Sequence, residues 1–187
     1  MKKYIVNLRG TSLLVFNTPQ EEIAVELKKL KKDQLPEWEE KNWKRKAERD
    51  NKGSVIIPVR WIKSAFVNAC KHSRKVPHFA TSKKETYTRY ADALYFTDTT
   101  FKCSDKDLKE KKAYMGAQGV GSKTKVLKIY PTIDKWETAV EISDGLGRMT
   151  IEEMKELFEF AGVIEGIGDF RRVNAGRFEV VSIKEIK

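Results

Sequence analysis

The feature that most constrains this fold is a glycine- and arginine-rich segment, residues 166–178, between a predicted helix and a predicted strand. Thr150 and Glu153 have the spacing of a capping box, in which a hydroxyl and a carboxylate bind the free amides of a helix start. Apolar residues then recur at helical spacing up to Gly162, which we expect to stop the helix in the left-handed conformation. Because the order is helix, loop, strand, the segment is not a dinucleotide-binding fingerprint, which runs from strand to helix.

The residue types of this segment suit a chain of phosphates. Gly166 and Gly168 permit close approach of the backbone, and Arg171, Arg172 and Arg177 carry permanent charge. The alternative is that the glycines only form turns and the arginines are solvated beside them. The segment by itself is compatible with both interpretations.

Composition favours a folded, basic protein with a polyanionic partner. The chain has 187 residues, a formal net charge of +10 and a pI near 9.5, with 40% hydrophobic and 34% charged residues. Cys70 and Cys103 are the only cysteines and are far apart, so we expect a reducing, cytoplasmic location. The first residues turn polar too soon for a signal peptide, and we expect no membrane association.

The first third of the chain predicts strands around a charged helical excursion. Residues 4–8 alternate as a strand, and residues 13–16 continue it or pair with it around Gly10. Residues 20–50 predict a helical pair rich in Lys and Glu. Trp38 and Trp43 in this excursion either stack on bases or pack the helix onto the domain.

A further predicted helix begins after Pro58 and carries Arg60 and Lys63 in its first turns. Free amides and the positive end of the helix dipole make such a position an anion site. Cations there are mildly unfavourable for the isolated helix, so their presence favours a function. His72, at the end of this helix, and His78 lack metal-ligand spacing with Cys70, so we expect no metal and no cofactor.

The middle of the chain predicts a second basic excursion. Its basic and aromatic residues interleave as in proteins that bind single strands, although an exposed loop has the same composition. Those residues are Lys83, Lys84, Tyr87, Arg89 and Tyr90. Residues 102–112 are a charge run and predict a solvated face. Residues 114–125 imitate a phosphate-binding P-loop, but Ser122 separates the last glycine from Lys123, so we expect a cationic segment that leads through Lys125 into a strand.

The order of elements suits an α+β, ferredoxin-like sheet with helices on one face. Three stretches, residues 57–66, 129–142 and 166–178, resemble the RAMP superfamily, the backbone subunits of CRISPR effectors, and in particular small phage-encoded RAMP-like proteins. The resemblance implies one modified RNA-recognition-motif domain over residues 1–187. It also implies basic, thumb-like insertions at about 20–52 and 73–125.

The resemblance further implies that Arg60 and Lys63 face a nucleic-acid backbone and that the loop from Gly166 to Arg177 supports the same groove. Two positions depart from the family pattern. Arg172 stands where a proline often follows the phenylalanine–arginine pair, and Ser64 stands where the family has a glycine after the helix-entry lysine.

These observations predict a non-enzymatic protein that binds single-stranded DNA or RNA and assembles as a homo-oligomer along the strand. Tyr87 or Tyr90 would stack on bases, and the lysines and arginines named above would hold phosphates. One alternative is a metal-independent RNA endonuclease with His72 or His78 as the proton acceptor. Another is a phage protein that docks on a host nucleoprotein complex.

Overall fold

The structure is a computed structural model that describes residues 1–18, 21–31, 33–72, 94–116, 125–147 and 149–186. The helices are α1 (Glu21–Lys29), α2 (Leu35–Asn42), α3 (Val59–His72) and α4 (Ile151–Phe160). The strands are β1 (Lys2–Gly10), β2 (Leu14–Val15), β3 (Val55–Ile56), β4 (Leu94–Thr99), β5 (Lys102–Cys103), β6 (Lys109–Gly116), β7 (Lys125–Ile133), β8 (Glu137–Asp144) and β9 (Phe178–Ile186). No helix in these ranges is long and apolar enough to cross a lipid bilayer.

A four-stranded antiparallel sheet has the order β4-β8-β1-β9. In its central strand β1, Tyr4, Val6 and Leu8 are fully buried, while the residues between them are partly exposed. A period of two with one buried side means that one face of the sheet is covered and the other is open. Helices α3 and α4 pack with this sheet. The mixed α+β class predicted from the sequence is therefore confirmed.

Aromatic side chains form the centre of the helix–sheet core. Phe66 of α3 lies 4.7 Å from the ring of Phe158 of α4 and 5.7 Å from the ring of Phe96 of β4, measured between ring centroids. Aromatic pairs at these separations contribute beyond their buried area. The apolar periodicity that predicted both helices thus marks the faces that meet in this core.

Helix α4 begins as its sequence predicts. The Thr150 hydroxyl accepts a hydrogen bond from the Glu153 N–H at 3.1 Å, and the Glu153 carboxylate accepts one from the Thr150 N–H at 2.9 Å. Upstream, the Asp144 carboxylate accepts hydrogen bonds from the backbone N–H groups of Leu146, Gly147 and Met149, which orders the turn before the helix. The capping box is confirmed.

Contacts divide the chain into two compact units. The first comprises residues 1–14, 57–102 and 134–187, and the second comprises residues 15–56 and 103–133. In the second unit, α2 packs against β7, and β6 pairs with β7 as an antiparallel hairpin. Trp38 is 6% exposed, so its side chain packs inside the protein, as the packing interpretation predicted, and is not presented for stacking on bases. The expected single domain with two insertions stays a prediction.

Two local predictions are wrong for identifiable reasons. Strand β2 does not form a hairpin with β1, because it joins β7 and β6 in a three-stranded sheet. Helix α4 does not end at Gly162, because a π-helical turn continues it to Glu165, and Gly166 follows with a positive φ of 66°. Residues 102–112 are largely exposed, as the charge run predicted, and their last four residues also open β6 and pair with β7.

Candidate nucleic-acid interface

The loop between α4 and β9 is closed by its own backbone. The Ile167 N–H donates to the Gly176 carbonyl at 2.9 Å, and the Gly176 N–H donates to the Leu13 carbonyl at 2.8 Å, beyond the end of β1. Gly176 has φ 68°, and a Cβ there would overlap the Ile167 carbonyl group. Only glycine tolerates both conditions. The loop therefore has a fixed base at the β1 end of the sheet.

A short 3₁₀ turn, Arg171–Val173, projects from this base. Phe170 and Asn174 flank the turn and both adopt left-handed backbone conformations, with φ 57° and 64°. A non-glycine residue rarely adopts this region, and phenylalanine more rarely than asparagine. Arg171 and Arg172 on the turn are both exposed. The loop thus presents two adjacent guanidinium groups to solvent.

The predicted loop residues divide into exposed and internal ones. Gly168 is half-buried, with φ 76°. Gly166 is buried between α4 and the loop, so its contribution is to the shape of the loop and not to its surface. The Arg177 side chain is half-buried and turns inward, where its Nη2 donates to the Arg171 carbonyl at 3.0 Å.

The start of α3 lies at the same end of the sheet as this loop. Strands β1 and β4 are each antiparallel to β8 and so run in one direction. The last residue of β1, Gly10, pairs with Phe178, the first residue of β9. The last residue of β4, Thr99, donates a hydrogen bond from its hydroxyl to the carbonyl of Ile57, two residues before α3, at 2.5 Å. The fold therefore brings both predicted basic elements to one end of the sheet, with α3 anchored at β4 and the loop at β9, and this end is called the α3–loop edge below.

Charge is divided unequally between helices α3 and α4. Helix α3 has no Asp or Glu, and it carries exposed Arg60 and half-buried Lys63 in its first turns. Residues 151–165, by contrast, contain five glutamates and one lysine. A polyanion is attracted to the α3 side of this layer and repelled by the α4 surface.

On the open face of the four-stranded sheet the two cations of β1 are ion-paired, while Lys184 of β9 lies opposite Ile5 on the same face. Arg9 contacts Glu137 at 2.9 Å and Glu179 at 3.3 Å, and Lys3 contacts Glu141 at 3.4 Å. These pairs cancel the local charge that would attract a phosphate chain. The open face is thus a poorer electrostatic partner for nucleic acid than the α3–loop edge.

Six residues of the predicted interface lie outside the described ranges, namely Lys83, Lys84, Tyr87, Arg89, Tyr90 and Lys123. Lys125 is the first residue of β7 and belongs to the second unit. The structure therefore places Arg60, Lys63 and the loop arginines in one unit, at one end of its sheet, and Lys125 in the other unit.

Two exposed tyrosines were missed by the sequence interpretation. Tyr95 in β4 and Tyr114 in β6 are each 70% exposed. Tyr95 pairs with Ser143 of β8 and lies on the opposite side of the strand from half-buried Phe96, whose ring contacts Phe66. Tyr114 shares the exposed face of β6 with Lys112, while Ala113 between them is half-buried. Period-two alternation in the charged run around Tyr114 is the signal that would have identified this strand.

The remaining candidate groups that the structure describes, His72 and the two cysteines, lie apart from the loop. His72 is the last residue of α3, about 18 Å along the helix axis from Arg60 at 1.5 Å per residue, and His78 lies outside the described ranges. Burial raises the pKa of the Cys70 thiol to about 12, and burial with the Asp107 carboxylate raises that of Cys103 to about 11. Within the described residues, no three His, Cys, Asp or Glu side chains are grouped as metal ligands.

Comparison with known proteins identifies the fold. No protein-family model matches the chain, and no curated protein matches it. Among solved structures, it is similar to a chain in the cryo-EM structure of the type III-B Cmr-beta bound to cognate target RNA, with a TM-score of 0.60 and 13% identity. That match covers 100% of this chain and 61% of the other, so this chain spans about three fifths of its relative's length.

Two further solved structures match less closely. One is a CRISPR protein from Archaeoglobus fulgidus, with a TM-score of 0.41 and 10% identity over 100% of this chain and 65% of that one. The other is Cmr6 from Pyrococcus furiosus, with a TM-score of 0.46 and 11% identity over 95% of this chain and 97% of that one. From the Cmr-beta match, the chain shares the fold of about three fifths of a chain in a type III-B Cmr complex, which supports the RAMP-like fold that the resemblance predicted.

Proposed function

We propose that this protein binds single-stranded nucleic acid without cutting it and holds the phosphate backbone at the edge where α3 begins and the arginine loop projects. The observation that carries the proposal is the convergence of these two basic elements at one end of the sheet, with exposed Arg171 and Arg172 in the loop and Lys63 in the helix. The paired charges of the open face support this edge over the sheet surface.

The fold supports RNA as a ligand to test beside DNA. The Cmr-beta structure that shares this fold is bound to its target RNA. Phosphates are common to both nucleic acids, whereas discrimination depends on groups that contact the 2′-hydroxyl. We therefore propose single-stranded RNA or DNA as the ligand class and leave the choice to the binding measurement.

We also propose that the protein is a RAMP-superfamily member of phage origin that acts in the bacterial cytoplasm without a cofactor and assembles along the bound strand. A ferredoxin-like topology belongs to this proposal. Its support is the strand order β4-β8-β1-β9 together with the chain order β1, α3, β4, β8, α4, β9, in which each helix connects two strands that are not neighbours in the sheet.

A non-enzymatic role is supported by the position of His72. A general base must reach the proton it removes at hydrogen-bond distance, and His72 ends α3 at the opposite pole from Arg60 and Lys63. Incubation of the protein with labelled RNA in EDTA tests this part of the proposal. We expect the RNA to stay intact. Cleavage that disappears in His72→Ala or His78→Ala would contradict the non-enzymatic role and favour the endonuclease alternative.

The principal test is fluorescence anisotropy with labelled single-stranded RNA, single-stranded DNA and duplex DNA over a salt series. We expect tight binding to a single strand, with a slope of about −0.7 per neutralised phosphate in the log–log plot. Lys63→Ala/Arg171→Ala takes one cation from each element, and we expect it to reduce the magnitude of that slope by about 1.4.

The matched control is Lys3→Ala/Lys184→Ala, which removes the same charge from the opposite end of β1 and β9, five to seven residues along β1 from Gly10. We expect the control to bind within about twofold of the unsubstituted protein, because at about 3.3 Å per residue these cations lie about two Debye lengths from the proposed edge. Equal losses in both variants would contradict the proposed edge. If the unsubstituted protein binds none of the probes at low salt, the proposed function is wrong.

A further inference from the structure

Arg177 differs from the other loop arginines in the direction of its side chain. Its Nη2 donates to the Arg171 carbonyl at 3.0 Å and approaches the Asn174 Oδ1 at 3.4 Å. Its Nη1 is buried and has no hydrogen-bond acceptor among the described residues. A phosphate in solvent cannot reach Nη1 unless the loop opens, because this nitrogen has no exposed surface.

The backbone of Arg177 is fixed independently of its side chain. The Arg177 N–H donates to the Ser12 Oγ at 2.8 Å, and its carbonyl accepts hydrogen bonds from the N–H groups of Thr11 at 2.8 Å and Ser12 at 3.3 Å. The guanidinium therefore extends from an anchored point, where β9 begins, back across the loop. It ends on the carbonyl of the residue that opens the 3₁₀ turn.

This contact stabilises the turn that carries the exposed arginines. The Arg171 carbonyl accepts one hydrogen bond from the Asn174 N–H at 3.1 Å and a second, charge-assisted one from Arg177. Both contacts come from Nη2, so the part of the planar fork that meets the turn is one NH2 group whose two N–H bonds have fixed directions, which a lysine ammonium does not reproduce. Arg177 thus contacts both ends of the turn from which Arg171 and Arg172 project.

We propose that Arg177 is a positioning residue that acts through Arg171 and Arg172, and that it is not itself a phosphate ligand. The inference rests on the proposed function and assigns different roles to three arginines of one loop. If Arg177 is a positioning residue, removing its guanidinium should abolish the contribution of Arg171 and Arg172 to binding. This should hold even when a lysine keeps the charge at position 177.

A mutant cycle measured by anisotropy over a salt series tests the inference. Arg177→Lys keeps the charge and removes the fork, and we expect it to weaken single-strand binding at least about fivefold. Arg171→Ala/Arg172→Ala should reduce the magnitude of the salt slope by about 1.4. Adding Arg177→Ala to that double variant should change neither the slope nor the affinity by more than about twofold, since no positioned arginines remain.

Two results would overturn the positioning role. Binding by Arg177→Lys equal to that of the unsubstituted protein would show that the fork is not needed. A further loss of about 0.7 in slope when Arg177→Ala is added to the double variant would show direct phosphate contact. Either result would leave the proposed function intact. If the unsubstituted protein binds no probe, both the proposed function and the positioning role are wrong.

Near-ultraviolet circular dichroism confirms that each variant is folded before its binding is compared. If the Arg177 variants do not fold, Asn174→Gly provides the second route, because glycine keeps the left-handed φ of 64° and removes one acceptor of the Arg177 guanidinium. We expect Asn174→Gly to weaken binding in the unsubstituted protein and to have no effect in Arg171→Ala/Arg172→Ala. Equal effects in both backgrounds would overturn the inference.

Discussion

Lys46 and Glu39 form an ion pair inside the second compact unit, in which the Lys46 Nζ donates a hydrogen bond to the Glu39 Oε2. Glu39 is fully buried, and its two oxygens also accept hydrogen bonds from the Ile129 N–H and the Lys128 Nζ, each at 3.0 Å. Burial lowers the pKa of Lys46, against the opposite effect of Glu39. One carboxylate therefore joins α2 to β7.

Substitution of Glu39 by glutamine should destabilise the protein strongly. The change leaves the buried Lys46 ammonium without a counter-charge, and we expect the free energy of unfolding to fall by about 3–5 kcal/mol. Urea denaturation measures the loss. Glu37→Gln on the same helix is the control, because its ion pair with Lys41 is exposed and its removal should change stability little. Similar losses in the two variants would contradict a structural role for the buried pair.

Gly162→Ala should destabilise the protein, although alanine is the better helix former. A Cβ at residue 162 would overlap the Phe178 carbonyl oxygen, where β9 passes the helical turn. Helix propensity alone predicts a gain of about 1 kcal/mol, whereas overpacking predicts a loss of about 1–3 kcal/mol. The sign of the change in urea denaturation decides between them. A more stable variant would show that the strand moves aside without cost.

Both thiols should react slowly in the folded protein at pH 8. The reactive species is the thiolate, and the pKa values of Cys70 and Cys103 are raised to about 12 and about 11. We expect Cys103, which is partly exposed, to react with a disulfide reagent faster than buried Cys70, and both to react rapidly in urea. Fast labelling of Cys70 without denaturant would contradict its burial.

The raised pKa of Cys70 also predicts a pH dependence of stability. The folded state retains the thiol proton more strongly than the unfolded state, whose thiol has a pKa near 9.0. The stabilisation is therefore complete below about pH 9 and is lost as the pH rises toward about 12, by up to about 1.4 kcal/mol per pH unit. Urea denaturation from pH 8 to 10.5 should show a shallower decline for Cys70→Ala. An unchanged slope would contradict the assignment to Cys70.

Charge reversal on α4 tests whether binding depends on a site or on net charge. Glu152 and Glu156 are exposed and lie 14 and 10 residues before Gly166, about 15–21 Å along the helix. This exceeds the Debye length of about 8 Å at physiological salt. We expect Glu152→Lys/Glu156→Lys to change single-strand affinity less than about threefold in anisotropy. A large gain would mean that overall charge governs binding and would contradict the proposed edge.

The sequence predicted those elements whose signals are local. The capping box of Thr150 and Glu153, the apolar stripe of α3 and the alternation in β1 each depend on neighbours within a few residues, and all three are present in the structure. The prediction for β2 was wrong because its partner β7 lies more than a hundred residues away in the chain. Gly162 was misassigned because its role is to admit Phe178, a contact that no helical periodicity reports.

What the sequence determined by itself is the residue chemistry of the proposed interface: a basic chain, a helix start with Arg60 and Lys63, and a loop with three arginines. The tertiary structure brought the helix start and the loop to one edge, through antiparallel pairing of strands distant in sequence. It also turned Arg177 inward while leaving Arg171 and Arg172 exposed. These outcomes depend on which groups long-range packing places near each side chain. The sequence does not report those neighbours, so three arginines of one loop look alike in it.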